Sequence, residues 1–498
     1  MREQALNIKP DRETHRRLAR DWPLVPMWAE LTADVCTPVG VFPELAGDGP
    51  GVILESVERS ERWGRYSFVA GDPAAIITVD ADGSRVSHVT RGLPIAESSR
   101  RPTDALKAIA SGLRAPHLDG LPPLTGGLVG HLAYEAATLL DGHPHPRGGD
   151  LACPPIELLV LDQAVVFDHW RQRLILIAYV RDYDQGAAAL SHLAEHVANA
   201  RAPAPLPLRD DTRPDDFGPS ADADQFRESV TRAKEHIFAG DIFQVVLARR
   251  RSAPAPEGGL PIYRRLRVAN PSPYMFFLRT PDIELAGSSP EPLVRVEGRR
   301  VSTRPIAGTH PRGVTQEEDV RFEQRLLADA KERAEHAMLV DLSRNDLGRV
   351  CRPGSVEVTE LMTVERFSRV MHIVSTVEGE LRDDVTPVDA LAATFPAGTV
   401  TGAPKRRAME IIAESESVAR GPYAGAVGYL TFAGDLDFCI TIRTAVIANG
   451  SAYVQSGAGV VADSDPDREL AETEAKASAL LAAVEGSVVE PERIGATP

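Results

Sequence analysis

The residues best spaced for chemistry are acidic. Glu332 and Glu335 stand three apart in a helical pattern covering about 316–342, so they share a face, and one turn on that face carries Met338, Leu339 and Leu342. A second helical stretch, Pro466 to about Val484, has proline in its first turn, Asp465 or Ser464 as cap, and Glu469, Glu472 and Lys476 on one face. Two such pairs of carboxylates suit Mg²⁺, which takes one or two protein carboxylates and completes its octahedron with water and an anionic substrate. The same spacing occurs on solvated helix faces, and Glu469 in a first turn offsets the helix dipole, so spacing alone leaves both readings open.

Groups for an anionic ligand lie nearby in type if not in sequence. Pro305–Thr309, Gly398–Lys405 and Gln455–Gly459 read as glycine-bearing turns whose backbone N–H groups can approach a carboxylate or phosphate. The second fails the G-x-x-x-x-G-K-[ST] spacing of a nucleotide-binding loop. Arg443 stands in a β-like run, Phe438–Thr444, and with the three turns points to a small dicarboxylate. Gln244 shares an alternating face with Ile242, Val246 and Ala248, where a polar side chain needs a partner. His372, flanked by Met371 and Ile373, fits a core histidine as well as a catalytic one.

The elements that must position these groups are mixed helix and strand. Phe226, Val230, Ala233 and Ile237 recur at helical spacing between a cap at Asp222 or Asp224 and a stop at Gly240. Short β-branched runs begin at Ala75 and Leu158, and an Ala- and His-rich helix falls near 186–200. The expected fold is therefore mixed α/β (α+β). Residues 201–221, with five prolines and clustered aspartates, read as a linker between an N-terminal domain, 1–200, and a larger catalytic domain, 222–490.

Composition narrows the function classes. The 55 Lys+Arg against 71 Asp+Glu give a net charge of −16, which argues against a general nucleic-acid or anionic-membrane binder. No apolar run is long enough to span a bilayer, and the N-terminus has no signal-peptide core. Cys36, Cys153, Cys351 and Cys439 are widely separated and read as reduced thiols, so a cytoplasmic protein is expected.

A collinear set of motifs then carries a resemblance. It comprises ILES at 53–56, GRYSF at 64–68, GDIFQVV at 240–246, PSPYM at 271–275 and SSPE at 288–291. It continues with PIAGT, EHAMLVDLSRND at 335–346, GTVTGAPK and QSGAG. In this order, over nearly the whole chain, the sequence resembles the large-subunit (component I) family of anthranilate synthases, among the chorismate-using enzymes.

The resemblance implies an anthranilate synthase-like fold, with an N-terminal regulatory part, itself carrying part of the catalytic half, packed on a chorismate-binding part. It implies Mg²⁺ on Glu335 and Glu472, with Glu332 and Glu469 acting through water. Gly308, Thr309, Tyr423, Arg443, Gly457, Ala458 and Gly459 match chorismate-holding positions, and Thr399 and Lys476 match pocket positions. Glu291 matches the acid that protonates the departing 4-hydroxyl, and His372 the residue aiding pyruvate elimination. Relatives that add water carry a lysine base where Gln244 stands, and the aminodeoxychorismate branch carries lysine where Ala307 stands. Gln244 and Ala307 together favour ammonia addition, because a neutral amide cannot deprotonate water.

No cysteine has the Gly-flanked elbow of a glutaminase, so a separate glutamine amidotransferase subunit is implied, in a heterotetramer of two of each. Ser56, Pro273, Tyr274 and Met275 match a feedback site for L-tryptophan. The departures are His310 for Arg, Ala475 for Asn, and Ser368-Arg369 for Ser-His. The expectation is anthranilate and pyruvate from chorismate. The alternatives are an enzyme that stops at 2-amino-2-deoxyisochorismate and a catalytically silent tryptophan-binding regulator.

Overall fold

Alternating strands bury one side chain in each direction, and here they form two sheets packed face to face with helices on both outer sides. The computed structural model describes residues 6–56, 64–95, 97, 101–142, 151, 153–207, 223–366 and 370–487. Most of the proline-rich stretch, the cap candidate Asp222 and the pair Ser368-Arg369 lie outside the described residues.

The first sheet runs, in spatial order, Val25–Thr32, Arg173–Val180, Gln163–Asp168, Tyr66–Gly71, Gly51–Glu55, Tyr274–Arg279, Glu284–Ser289, Thr444–Ala448, Ser451–Val460, Gln244–Pro254 and Gly402–Ala403. The second runs Ile306–Pro311, Val370–Glu380, Arg300–Thr303, Pro292–Glu297, Leu436–Ile440, Ala426–Thr431, Gly127–Leu132, Ile156–Leu161, Ala75–Asp80 and Gly83–Ser87, with Glu357–Arg366 also paired to Val370–Glu380. Both sheets therefore take strands from either side of residues 201–221.

Between the sheets, Val52, Phe276 and Leu285 of the first meet Val129, Leu159 and Val427 of the second. Their strand neighbours Ile53, Phe277 and Ala286 face the opposite way, into a core shared with Leu190, Tyr263 and Leu480 of the helices Tyr183–Asn199, Gly259–Ala269 and Pro466–Val484. The second sheet is covered by Pro102–Gly112, Ala330–Gly348 and Pro387–Thr394, which contribute Leu106, Val340 and Leu391. No helix among the described residues is long and apolar enough to cross a membrane.

Two details differ from the sequence expectation. The pattern over 316–342 is two helices, Gln316–Ala328 and Ala330–Gly348, broken at Asp329. Asp329 is extended and its carboxylate accepts from the N–H groups of Lys331 and Glu332, capping the second helix. Periodicity alone could not register this break, because the apolar pattern continues through it. In addition, Ile242 precedes its strand and packs with Val245 and Leu247, so Gln244 shares its face with Val246 and Ala248 only.

Candidate active site

The site forms where the chain passes between the sheets. Glu291 sits between Glu284–Ser289 of the first sheet and Pro292–Glu297 of the second. Arg443 sits on the return path, between Leu436–Ile440 of the second and Thr444–Ala448 of the first. The two passages are tied together: the Ile440 N–H donates to the Glu291 carbonyl at 3.0 Å, and the Ser289 hydroxyl donates to the Ile440 carbonyl at 2.6 Å.

Arg443 is thus not inside a strand, as its β-like run suggested. It turns through φ +49°, a left-handed conformation that costs a non-glycine residue about 1–3 kcal/mol and that surrounding structure must impose. Burial lowers its pKa, opposed by the nearby Glu291 carboxyl. Burial pushes Glu291 up to about 8, against weaker opposing effects from Thr399, the Ile306 N–H, Lys476 and Arg443. The Thr399 hydroxyl approaches that carboxyl without a hydrogen bond of good geometry.

Two of the three glycine segments are strands, not turns. Gln455–Gly459 lies within Ser451–Val460, paired to Gln244–Pro254, and Pro305–Thr309 leads into Ile306–Pro311. Their glycines serve close approach. A Cβ on Gly457 would stand 2.7 Å from the Tyr423 hydroxyl, and one on Gly459 would stand 2.7 Å from Gln244 Nε2. Ala458 turns its methyl the other way, into the core with Val245 and Leu247, so only its backbone faces the site. Gly308, at φ +68°, sits at a bulge where a Cβ would come within 3.0 Å of Glu332 Oε2. Thr309 is the cross-strand partner of His372.

These contacts close a single cluster. Gln244 Nε2 donates to Glu335 Oε1 at 2.7 Å. Lys476 Nζ donates to the Gly457 carbonyl at 3.0 Å and pairs with Glu472 at 2.7 Å. His372 Nδ1 lies 3.1 Å from the Gly308 carbonyl, so Nδ1 carries the proton and Nε2 the lone pair. Burial, with Arg443 and Lys476 nearby, lowers its pKa to about 4, leaving it neutral at pH 7.

The four glutamates meet the donor chemistry of Mg²⁺. Burial raises Glu332, and Glu335, Glu472 and Asp329 add to the rise; burial raises Glu469, and Glu472 adds to it. Such mutual repulsion among hard oxygen donors is what a divalent cation relieves. Among the described residues, no three acidic, His or Cys side chains converge on one point.

Sequence reasoning missed two ion pairs that hold this cluster, one buried and one part-buried. Arg420 pairs with Glu416 at 2.6 Å and donates to the carbonyls of Val400 and Val246, while Glu416 accepts from the Ala248 N–H. Lys405 pairs with Asp346 at 2.9 Å, tying the glutamate-bearing helix to the segment that carries Thr399. Lys405 and Asp346 close two of the recognisable motifs, which was the available signal; nothing local marks Arg420.

The tryptophan-site candidates come together on a neighbouring strand, where Tyr274 pairs with Ser289, two residues before Glu291. Met275 pairs with Glu55 across neighbouring strands, which brings Ser56 beside Tyr274 and Pro273. Met275 is buried with Ile53 and Phe277, and the Tyr274 hydroxyl donates to Asp437 at 3.0 Å. Three strands separate Tyr274–Arg279 from Gln244–Pro254, about 19 Å across the sheet at ~4.8 Å per strand. Of the departures, His310 packs on the Phe322 ring at 4.5 Å and Ala475 is exposed.

Comparison with known proteins adds a second line of evidence. Residues 56–482 match the model of the chorismate binding enzyme family. The chain is 44% identical to anthranilate synthase component 1 of Mycolicibacterium smegmatis, over 96% of this chain and 94% of that one. It is 45% identical to anthranilate synthase component 1 of Streptomyces coelicolor, over 97% and 93%. The crystal structure of anthranilate synthase component I from Streptococcus pneumoniae superposes with a TM-score of 0.73 at 34% identity, covering 91% of this chain and 99% of that one. The menaquinone-specific isochorismate synthase MenF of Escherichia coli shares the fold, with a TM-score of 0.68 at 19% identity.

Proposed function

The chain belongs to the chorismate-binding enzymes, and within them to anthranilate synthase component 1; on that premise we propose that it converts chorismate and ammonia to anthranilate and pyruvate. The observation that carries this reading is the buried Glu291 carboxyl, protonated at neutral pH and within electrostatic reach of Arg443 and Lys476.

Chorismate carries two carboxylates and a hydroxyl leaving group, and each has a counterpart. Arg443 and Lys476 supply fixed positive charge for the carboxylates, while Gly308, Gly457 and Gly459 let backbone approach the ring. Glu335 and Glu472 would hold Mg²⁺, with Glu332 and Glu469 through water; the bound ion would offset the charge of a substrate carboxylate. Glu291 gives its proton to the departing 4-hydroxyl, which leaves as water. Ammonia attacks C2 without needing a base, so the amide of Gln244 suffices, and its bond to Glu335 orients that carboxylate. Elimination of pyruvate requires loss of the C2 proton, and neutral His372 is the base for that task.

Ammonia is delivered by a glutaminase partner, component II, in a two-plus-two assembly. The thiols support this division of labour. Burial pushes Cys351 up to about 11 and Cys153 up to about 12, and also raises Cys36 and Cys439, the opposite of an activated nucleophile. L-Tryptophan binds at Ser56 and Pro273–Met275 and inhibits by biasing how the sheet is arranged beside Glu291, since Tyr274 pairs with Ser289 on the neighbouring strand. The protein works in the cytoplasm.

The test is the purified chain with chorismate, Mg²⁺ and excess ammonium at mildly alkaline pH, following anthranilate by fluorescence and pyruvate by a coupled assay. Both products together support the reading. Chorismate consumed without either product indicates an enzyme that stops at aminodeoxyisochorismate. Tryptophan binding without turnover indicates a regulator.

A further inference from the structure

A cavity of about 40 Å³ borders Glu291. Of its lining residues only Glu291 and Thr399 belong to the candidate catalytic and substrate-binding set; Leu342, Ser343 and Asp346 of the helix Ala330–Gly348 also line it. Ser343 and Asp346 in its lining are partly exposed, whereas Glu291 is only 8% exposed. Thr303 also lines it, is only 6% exposed, and its hydroxyl has no hydrogen-bond partner within the protein.

A buried hydroxyl without a partner costs roughly 1–3 kcal/mol, and a water molecule is the usual remedy. Each water needs at least ~10–15 Å³ and two to four polar partners, so this cavity takes about three or four at most. The carboxyl of Glu291 and the hydroxyls of Thr399, Thr303 and Ser343 supply the partners along its length.

The catalytic cycle gives such a file of water a task. Once Glu291 has protonated the leaving hydroxyl it is a carboxylate, and the substrate held by Arg443 and Lys476 covers its other side. We propose that this cavity is the route by which Glu291 recovers its proton, through waters held between Thr399, Thr303 and Ser343 that reach the surface beside Asp346. The balance is simple: one proton leaves Glu291 in the water formed from the 4-hydroxyl, and one solvent proton returns along the file. The inference rests on the reading of Glu291 as the acid.

Two variants test it with the whole chain. Thr303→Val removes the partnerless hydroxyl at nearly constant volume, and Ser343→Leu fills the outer end. With chorismate, Mg²⁺ and saturating ammonium, kcat should fall about three-fold in the first and about ten-fold in the second, with the KM for chorismate unchanged. The solvent deuterium isotope effect on kcat should rise in both, which a purely structural change would not produce. Wild-type kcat and isotope effect in both variants overturn the relay. A change confined to the KM for ammonium also overturns it, since the cavity would then be conducting ammonia. If Ser343→Leu does not fold, Thr303→Val decides. Glu291→Gln in the same assay separates the two ideas: retained turnover refutes Glu291 as the acid, whereas inactivity beside two unaffected cavity variants refutes the relay alone.

Discussion

Glu291→Gln should stabilise the protein while abolishing its activity, and the gain should depend on pH in a defined way. In the folded chain burial raises this carboxyl from 4.5 to about 8. The unfolded chain ionises it above about 4.5. Between those values folding must take up a proton, so the stability associated with the neutral carboxyl is fully present below pH 4.5. It declines as pH rises and is entirely lost above pH 8. At 1.36 kcal/mol per unit, the loss is about 3 kcal/mol at pH 7 and about 5 kcal/mol above pH 8. Glutamine is neutral throughout and escapes it. For 498 residues, an unfolding entropy of roughly 2.1 cal/mol/K per residue converts 3 kcal/mol into about 3 °C in Tm. Thermal unfolding of both proteins, without substrate or metal, should therefore coincide at pH 4.5 and diverge steadily to pH 8, the variant being the higher. Turnover should fall about 10²- to 10⁴-fold. Parallel Tm curves at all pH values, or a variant less stable at pH 7, would refute the buried, protonated carboxyl.

Other perturbations follow from the same geometry. Glu335→Gln should abolish Mg²⁺-dependent turnover and leave the circular dichroism spectrum unchanged; full activity in a Mg²⁺ titration would sink the metal assignment. Gly457→Ala places a methyl 2.7 Å from the Tyr423 hydroxyl and 2.9 Å from the Leu247 carbonyl, so steady-state kinetics should show the KM for chorismate raised by about ten-fold or more. Lys405→Met leaves the part-buried Asp346 without its cation and should cost about 2–3 kcal/mol in denaturant unfolding, with Lys405→Met/Asp346→Asn recovering part of it. His372, held near 4, should show no titration between pH 6 and 7 by NMR, and its protonation should cost stability as pH falls below about 6.5.

The sequence by itself determined the family and most of the local structure. Helical spacing placed Glu332 with Glu335 and Glu469 with Glu472, and the C-terminal helix spans Pro466–Val484 with Asp465 as its cap. These are legible because a cap, a first-turn proline and an i, i+3 face depend only on residues a few positions apart. The collinear motifs indicated the family for a related reason: a pocket built from many segments leaves short, recognisable marks along the whole chain.

Only the tertiary structure decided how the marks combine. Gln455–Gly459 looked like a turn because glycine is a turn residue, yet it is a strand whose bare Cα atoms admit Tyr423 and Gln244 from other elements. Arg443 looked like a strand residue, yet it occupies the passage between sheets, where long-range pairing on both sides imposes a positive φ. Both sheets draw strands from either side of the proline-rich stretch, and no local pattern encodes which distant strands will pair. The proton held on Glu291 belongs to this second class, because a carboxyl's pKa is set by what surrounds it, and that is settled only when the two sheets close over it.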